Sequence, residues 1–79
     1  METTLDRLRE GECARIARLA LRGAMRRRLL DFGMIEGTTI RCLRKSPAGD
    51  PVIYRVRGTM LALRRQDSQW IAVEVIPCG

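Results

Sequence analysis

The sequence predicts a mainly β protein: a small SH3-like barrel of about five antiparallel strands with one short helix inserted after the first strand. Three observations point there. Apolar and polar residues alternate at a two-residue period in five short segments, as half-buried strands require. One segment, Ala24 to Phe32, carries a helical period instead. Turn signals separate the strand segments at spacings that suit consecutive antiparallel pairing, and partial closure removes edges that an open sheet would expose. An OB-fold is the competing architecture, but its helix usually lies between the third and fourth strands. Here the helical pattern lies between the first and second.

Residues 1 to 11 form a lead-in with little periodicity, in which Leu5 and Leu8 can anchor a short turn before Gly11 breaks it. From Glu12 to Ala20, Ala14 and Ile16 share one face and Arg15 and Ala17 the other, which reads as a first strand. Met25, Leu29 and Phe32 then fall at i, i+4 and i+7 and make one apolar helical stripe. Gly23 suits the helix start and Gly33 a left-handed stop. After the turn signal Glu36-Gly37, the segment Thr38 to Lys45 has Ile40 and Cys42 in phase. The run Ser46 to Pro51 combines two prolines, a glycine and an aspartate, and is a loop. Val52, Tyr54 and Val56 alternate with Ile53, Arg55 and Arg57, and Arg57-Gly58 reads as a two-residue hairpin turn. Leu61 and Leu63 lead the next strand. Gln66 to Gln69 is a polar turn, and Ile71, Val73 and Val75 mark a last strand that Pro77 ends. Ile40, Val56, Leu61, Leu63, Ile71 and Val73 are expected to converge on one interior.

The 79 residues are read as one domain, 1–79, with a core from about 8 to 75. A chain this short has no room for a large active-site cleft. At 46% apolar residues it is too hydrophobic for disorder, and no apolar run approaches the roughly 18 residues of a membrane span. The start, Met-Glu-Thr-Thr-Leu-Asp, lacks the basic and apolar regions of a secretory signal, so a cytoplasmic protein without membrane insertion is expected. Three widely spaced cysteines, Cys13, Cys42 and Cys78, and no histidine argue against a metal site. No native disulfide is expected; Cys42 is read as a small buried residue and Cys78 as mobile. Without histidine the commonest general base is also missing. These features predict a binding or regulatory module with no catalytic residues and no cofactor, not an enzyme.

The net charge is +6, and all basic residues but Lys45 are arginine, which favours an anionic or acidic partner. The densest group is Arg26, Arg27 and Arg28, followed by Leu29, Leu30, Asp31, Phe32 and Gly33. At roughly 100° per residue the three arginines form a collar around the helix, not a stripe. Positive charge in the first turn and Asp31 in the last both oppose the helix dipole, as happens where a partner binds. An Arg27–Asp31 pair at i, i+4 recovers little of that cost. Leu30 falls off the core stripe and stands as an apolar knob beside arginines. A second basic set, Arg41, Arg44, Lys45, Arg55, Arg57, Arg64 and Arg65, lies on the strands and the segments that join them. Nucleic-acid binding is the alternative these charges raise, but exposed aromatic stacking platforms are not evident.

The runs Arg-Arg-Arg-Leu-Leu-Asp-Phe-Gly-Met-Ile-Glu-Gly-Thr at 26–38, Ser-Pro-Ala-Gly-Asp-Pro-Val at 46–52, Val-Arg-Gly at 56–58 and Leu-Ala-Leu-Arg-Arg at 61–65 resemble the FeoA family. These are small accessory proteins of bacterial ferrous iron uptake, and the resemblance extends from about Leu8 to Val75. It implies an SH3-like barrel with a helix after the first strand, and a protein partner in FeoB, the membrane ferrous iron transporter, at its cytosolic GTP-binding region. FeoA-like domains also occur in metal-dependent repressors, but this chain has no winged-helix segment. The resemblance supplies no catalytic residues, and scattered carboxylates without histidine do not suit iron binding by the chain itself. What carries over is the helix motif at Arg28, Leu29, Leu30 and Gly33 as an interaction region. The partner-binding candidates are therefore Arg26, Arg27, Arg28 and Leu30, with the oligomeric state open.

Overall fold

The computed structural model describes residues Met1–Gly79. Its strands are β1 (Glu2–Thr4), β2 (Cys13–Leu19), β3 (Thr39–Lys45), β4 (Val52–Val56), β5 (Thr59–Leu63) and β6 (Ile71–Ile76). Two helices interrupt them, α1 (Gly23–Asp31) and the single turn α2 (Arg65–Ser68). All six strands join one antiparallel sheet in the order β1-β6-β2-β3-β4-β5. The five expected strands are present within a residue or two of their expected ends, and α1 lies between β2 and β3 as the helical period required.

Strand phase decides what is buried. Ala14 and Ile16 of β2, Ile40 and Cys42 of β3, Val52, Tyr54 and Val56 of β4, and Ile71 and Val73 of β6 all face one core. Five of the six expected core residues are buried there; Leu61 is the exception, half-buried at the sheet margin. Two bulges break the alternation. The one at Leu43 matters for charge: it pairs Arg44 with Ile53 and Lys45 with Val52. Arg44 thereby joins the outer face with Arg41, whereas unbroken alternation from Ile40 and Cys42 would have pointed it inward.

The lead-in is more structured than its weak periodicity suggested. β1 is a sixth strand, made of Glu2, Thr3 and Thr4, which pair through their backbones with Glu74, Val73 and Ala72. A 3-10 turn at Leu5–Arg7 follows, and Leu5 and Leu8 are both fully buried, as anchors should be. This turn and α2 bridge the gap between the sheet's two ends. The Tyr54 hydroxyl donates to the Leu5 carbonyl at 3.4 Å, and Arg65 approaches Asp6 at 3.5 Å. The polar segment from Gln66 is thus a helical turn with buried Ser68 beneath it, not an open turn.

The cysteine expectation is corrected. Cys13 and Cys78 form a disulfide with an S–S distance of 2.03 Å. Their separation of 65 residues hid the pairing. Register reveals it, because Ile76 lies opposite Cys13 and the chain beyond β6 turns back over the start of β2. Cys78 is therefore tethered, while Cys42 is the free and buried thiol.

Candidate protein-interaction site

The site is built on α1. Leu29 is the buried anchor, and Met25 and Phe32 pack half-buried beside it, so the expected stripe faces the barrel. The helix ends in a Schellman motif. Gly33 N–H donates to Leu30 O at 3.0 Å and Met34 N–H to Leu29 O at 2.9 Å, with Gly33 at φ +100° and Met34 buried. The Thr38 hydroxyl adds a bond to the Gly33 carbonyl at 3.1 Å.

Arg26, Arg27 and Arg28 are all exposed, and Leu30 is half-buried without packing on the core cluster. Helical geometry sorts them. At about 100° per residue, Arg26 lies some 40° from Leu30 and Arg27 some 60°, whereas Arg28 points some 160° away. The structure thus groups Arg26, Arg27 and Leu30 on one face and sets Arg28 apart. Only two ion pairs form in the chain, Arg15–Glu74 at 3.8 Å and Arg65–Asp6 at 3.5 Å. The Arg27–Asp31 pair is absent, so the collar's charge is uncompensated within the chain.

A residue that sequence reasoning did not attach to this site is Arg57. The β4–β5 turn has Arg57 at φ 52° and Gly58 at φ 79°, a type I′ geometry matched to strand twist. It delivers the Arg57 side chain onto the end of α1. A Cβ added to Gly33 would stand 2.6 Å from Arg57 Cδ and 3.2 Å from Nε. The guanidinium end thus rests by the negative pole of the helix dipole, a favourable placement. The signal in the sequence was a bulky residue before glycine in a two-residue turn.

The second basic set lies mainly outside the barrel. Arg41, Arg55 and Met60 face one another across β3, β4 and β5, and Arg44, Ile53 and Ala62 form the next row. Like charges directly opposite are unfavourable, so Arg41 and Arg55 keep their neighbourhood receptive to anions. Lys45 instead lines a hollow of about 230 Å³ at the barrel end with Arg7, Arg65, Asp6 and Ser68. Trp70, 54% exposed, lies over a second hollow beside Leu21 and Arg22. Among titratable groups, burial raises the Cys42 thiol and the Tyr54 phenol, and both lie in the core. No three His, Cys, Asp or Glu side chains cluster to hold a metal ion.

This surface and fold have counterparts. The FeoA domain pattern matches residues 3–75. A fusion of Fe(2+) transport protein A with the Fe(2+) transporter FeoB in Porphyromonas gingivalis is 40% identical over 72 residues, covering 91% of this chain. The chain spans only 8% of that relative's length. The solution structure of a FeoA protein from Chlorobium tepidum superposes with a TM-score of 0.90 at 33% identity, covering 95% of this chain and 71% of the other. FeoA of Stenotrophomonas maltophilia, solved with zinc and described as a prokaryotic SH3 domain protein, matches with a TM-score of 0.81 at 29% identity, covering 91% and 89%. A domain match over nearly the whole length, on an SH3-like barrel with one helix after a long first strand of the barrel, has one reading: the chain belongs to the FeoA family, a family of non-catalytic accessory domains.

Proposed function

We propose that this chain is an accessory protein of ferrous iron transport that acts in the cytoplasm by binding an FeoB-type transporter through the face of α1 carrying Arg26, Arg27 and Leu30. The observation that carries this reading is the Porphyromonas gingivalis relative, in which the matching segment and FeoB are one polypeptide. Fusion holds two partners at high effective concentration, which is useful where they must meet. The uncompensated collar supports the choice of surface, because an acidic partner supplies the charges that α1 lacks. Leu30 provides an apolar anchor between them, the arrangement of an interface centre. Such a module acts by favouring one conformation of its partner through differential binding. The cytosolic GTP-binding region is the part of the transporter it engages.

The test is a titration of the full chain with the cytosolic domain of an FeoB transporter, with and without guanine nucleotide. Leu30→Gln should abolish binding and leave the melting temperature unchanged, since a desolvated anchor contributes about 2 kcal/mol or more. Arg27→Ala should slow association and flatten its salt dependence, because a rim charge steers more than it holds. Normal binding by a normally folded Leu30→Gln protein would remove α1 from the interface. Loss of salt-sensitive binding to the transporter domain together with tight binding to nucleic acid would favour the alternative partner.

A further inference from the structure

A sheet that does not close has two edges, and this one guards them unequally. β1 is three residues long and begins with Glu2, and short charged strands resist unwanted pairing. β5 reads Thr59-Met60-Leu61-Ala62-Leu63, without charge, proline or bulge. Its free hydrogen-bonding groups follow from the tight turn. A two-residue hairpin makes Val56 and Thr59 a hydrogen-bonded pair, so alternation turns Thr59, Leu61 and Leu63 toward β4. Met60 and Ala62 therefore aim their N–H and C=O groups away from the sheet. No backbone hydrogen bond outside the β4–β5 ladder uses any residue of β5. Both residues are exposed, Met60 at 65%.

We propose that this free edge of β5 accepts an extended acidic segment of a partner protein as an added strand. Charge selects the occupant. Arg57 precedes the edge and Arg64 and Arg65 follow it, with Arg55 opposite Met60 and Arg41 behind. Of these five arginines only Arg65 has an ion-pair partner. A second copy of this chain is opposed by the same charges. Antiparallel self-pairing with Met60 opposite Ala62 places each chain's Arg57 beside the other's Arg65. The occupant is thus a segment with small or β-branched residues at its centre and Asp or Glu at its ends, about 17 Å long. Its backbone supplies the affinity and its carboxylates the selectivity. This surface is separate from the α1 face, and Arg57 lies between the two, its backbone opening β5 and its side chain covering Gly33.

The probe is a synthetic peptide, Glu-Glu-Val-Thr-Val-Thr-Val-Glu-Glu, titrated into the isotopically labelled full chain, with the same peptide carrying Lys for Glu as control. The acidic peptide should shift the Met60 and Ala62 amides and slow their hydrogen exchange, more strongly at low salt, while the basic peptide does neither. Ala62→Pro deletes an outward N–H that the ladder does not use and should weaken binding at least about tenfold. If that variant melts early, Met60→Glu, which places a negative charge on the outer face beside the added strand and repels its carboxylates, should weaken binding as well. Leu30→Gln should bind the peptide like the unaltered chain, so failure of the α1 reading and failure of this one are separable. Unaffected Met60 and Ala62 amides, perturbation confined to α1, or concentration-dependent protection of β5 without peptide would each overturn the proposal, the last by naming a second copy as occupant.

Discussion

Gly33 joins the helix to the hairpin, and Gly33→Ala tests both sides of that joint. The residue sits at φ +100°, where a Cβ costs roughly 1 to 2 kcal/mol. The added Cβ would also stand 2.6 Å from Arg57 Cδ, so the arginine must lift off the helix end. Because that atom belongs to a flexible side chain, the steric part is expected to be the smaller. For a domain of this size 1 kcal/mol moves the melting temperature by roughly 4 to 8 °C, so Gly33→Ala should melt about 5 to 15 °C lower. Thermal unfolding followed by circular dichroism on the unaltered chain, Gly33→Ala, Arg57→Ala and the double variant separates the causes. In the Arg57→Ala background the clash disappears and the backbone cost stays, so most of the loss should persist. An unchanged midpoint for Gly33→Ala, or complete rescue by Arg57→Ala, would refute the assignment of Gly33 as a left-handed helix stop.

Ile40→Ala empties a fully buried site and should cost about 2 to 5 kcal/mol, read as a lower urea midpoint, whereas Leu61→Ala at the half-buried margin should cost clearly less. Alkaline pH should destabilise the fold: unfolded thiols and phenols titrate near 8.5 and 10, while burial holds Cys42 and Tyr54 protonated in the native state. Above about pH 9 the unfolded chain then releases protons that the folded chain keeps, so the urea midpoint should fall, and a flat profile would contradict this burial. Denatured but unreduced protein should show one titratable thiol and reduced protein three; reduction should also lower stability, by up to about 4 kcal/mol on loop entropy across the 65-residue separation.

Periodicity proved a faithful record of burial wherever side chains drive pairing. The β2, β3, β4 and β6 phases, the α1 stripe and the Gly33 stop were all legible, because each places an apolar side chain or a φ-permissive residue where physics leaves little choice. β1 was not, since Glu2, Thr3 and Thr4 join the sheet through backbone groups that every residue carries. The Leu43 bulge was equally silent. It changes the direction of Arg44 and Lys45 without altering composition, and only the pairing register exposes it. The disulfide is a third case: spacing along the chain said nothing about two cysteines that β2–β6 pairing brings to a Cα distance of 5.3 Å.

The surface divides along the same line. The arginine collar was visible as three consecutive cations, but the dipole conflict expected of it is only partial: α1 starts at Gly23, so Arg26 alone lies in the first turn, and Arg28 falls in the last turn, where a cation is favourable. The angular grouping of Arg26 and Arg27 around Leu30, with Arg28 turned aside, follows from helical periodicity alone; what the structure adds is that Leu29 takes the buried position and Leu30 stays off the core cluster. Arg57 reaches the C-terminal end of α1 at Gly33 from a hairpin more than twenty residues on, through a turn that accepts a left-handed arginine. The β5 edge follows the same rule in reverse. Its sequence mark is the absence of guarding residues between Arg57 and Arg64, and an absence acquires meaning only once the topology leaves that strand at the end of the sheet. The basic residues that flank it then do two things at once: they oppose self-pairing, which an unguarded strand would otherwise invite, and they admit a partner of opposite charge.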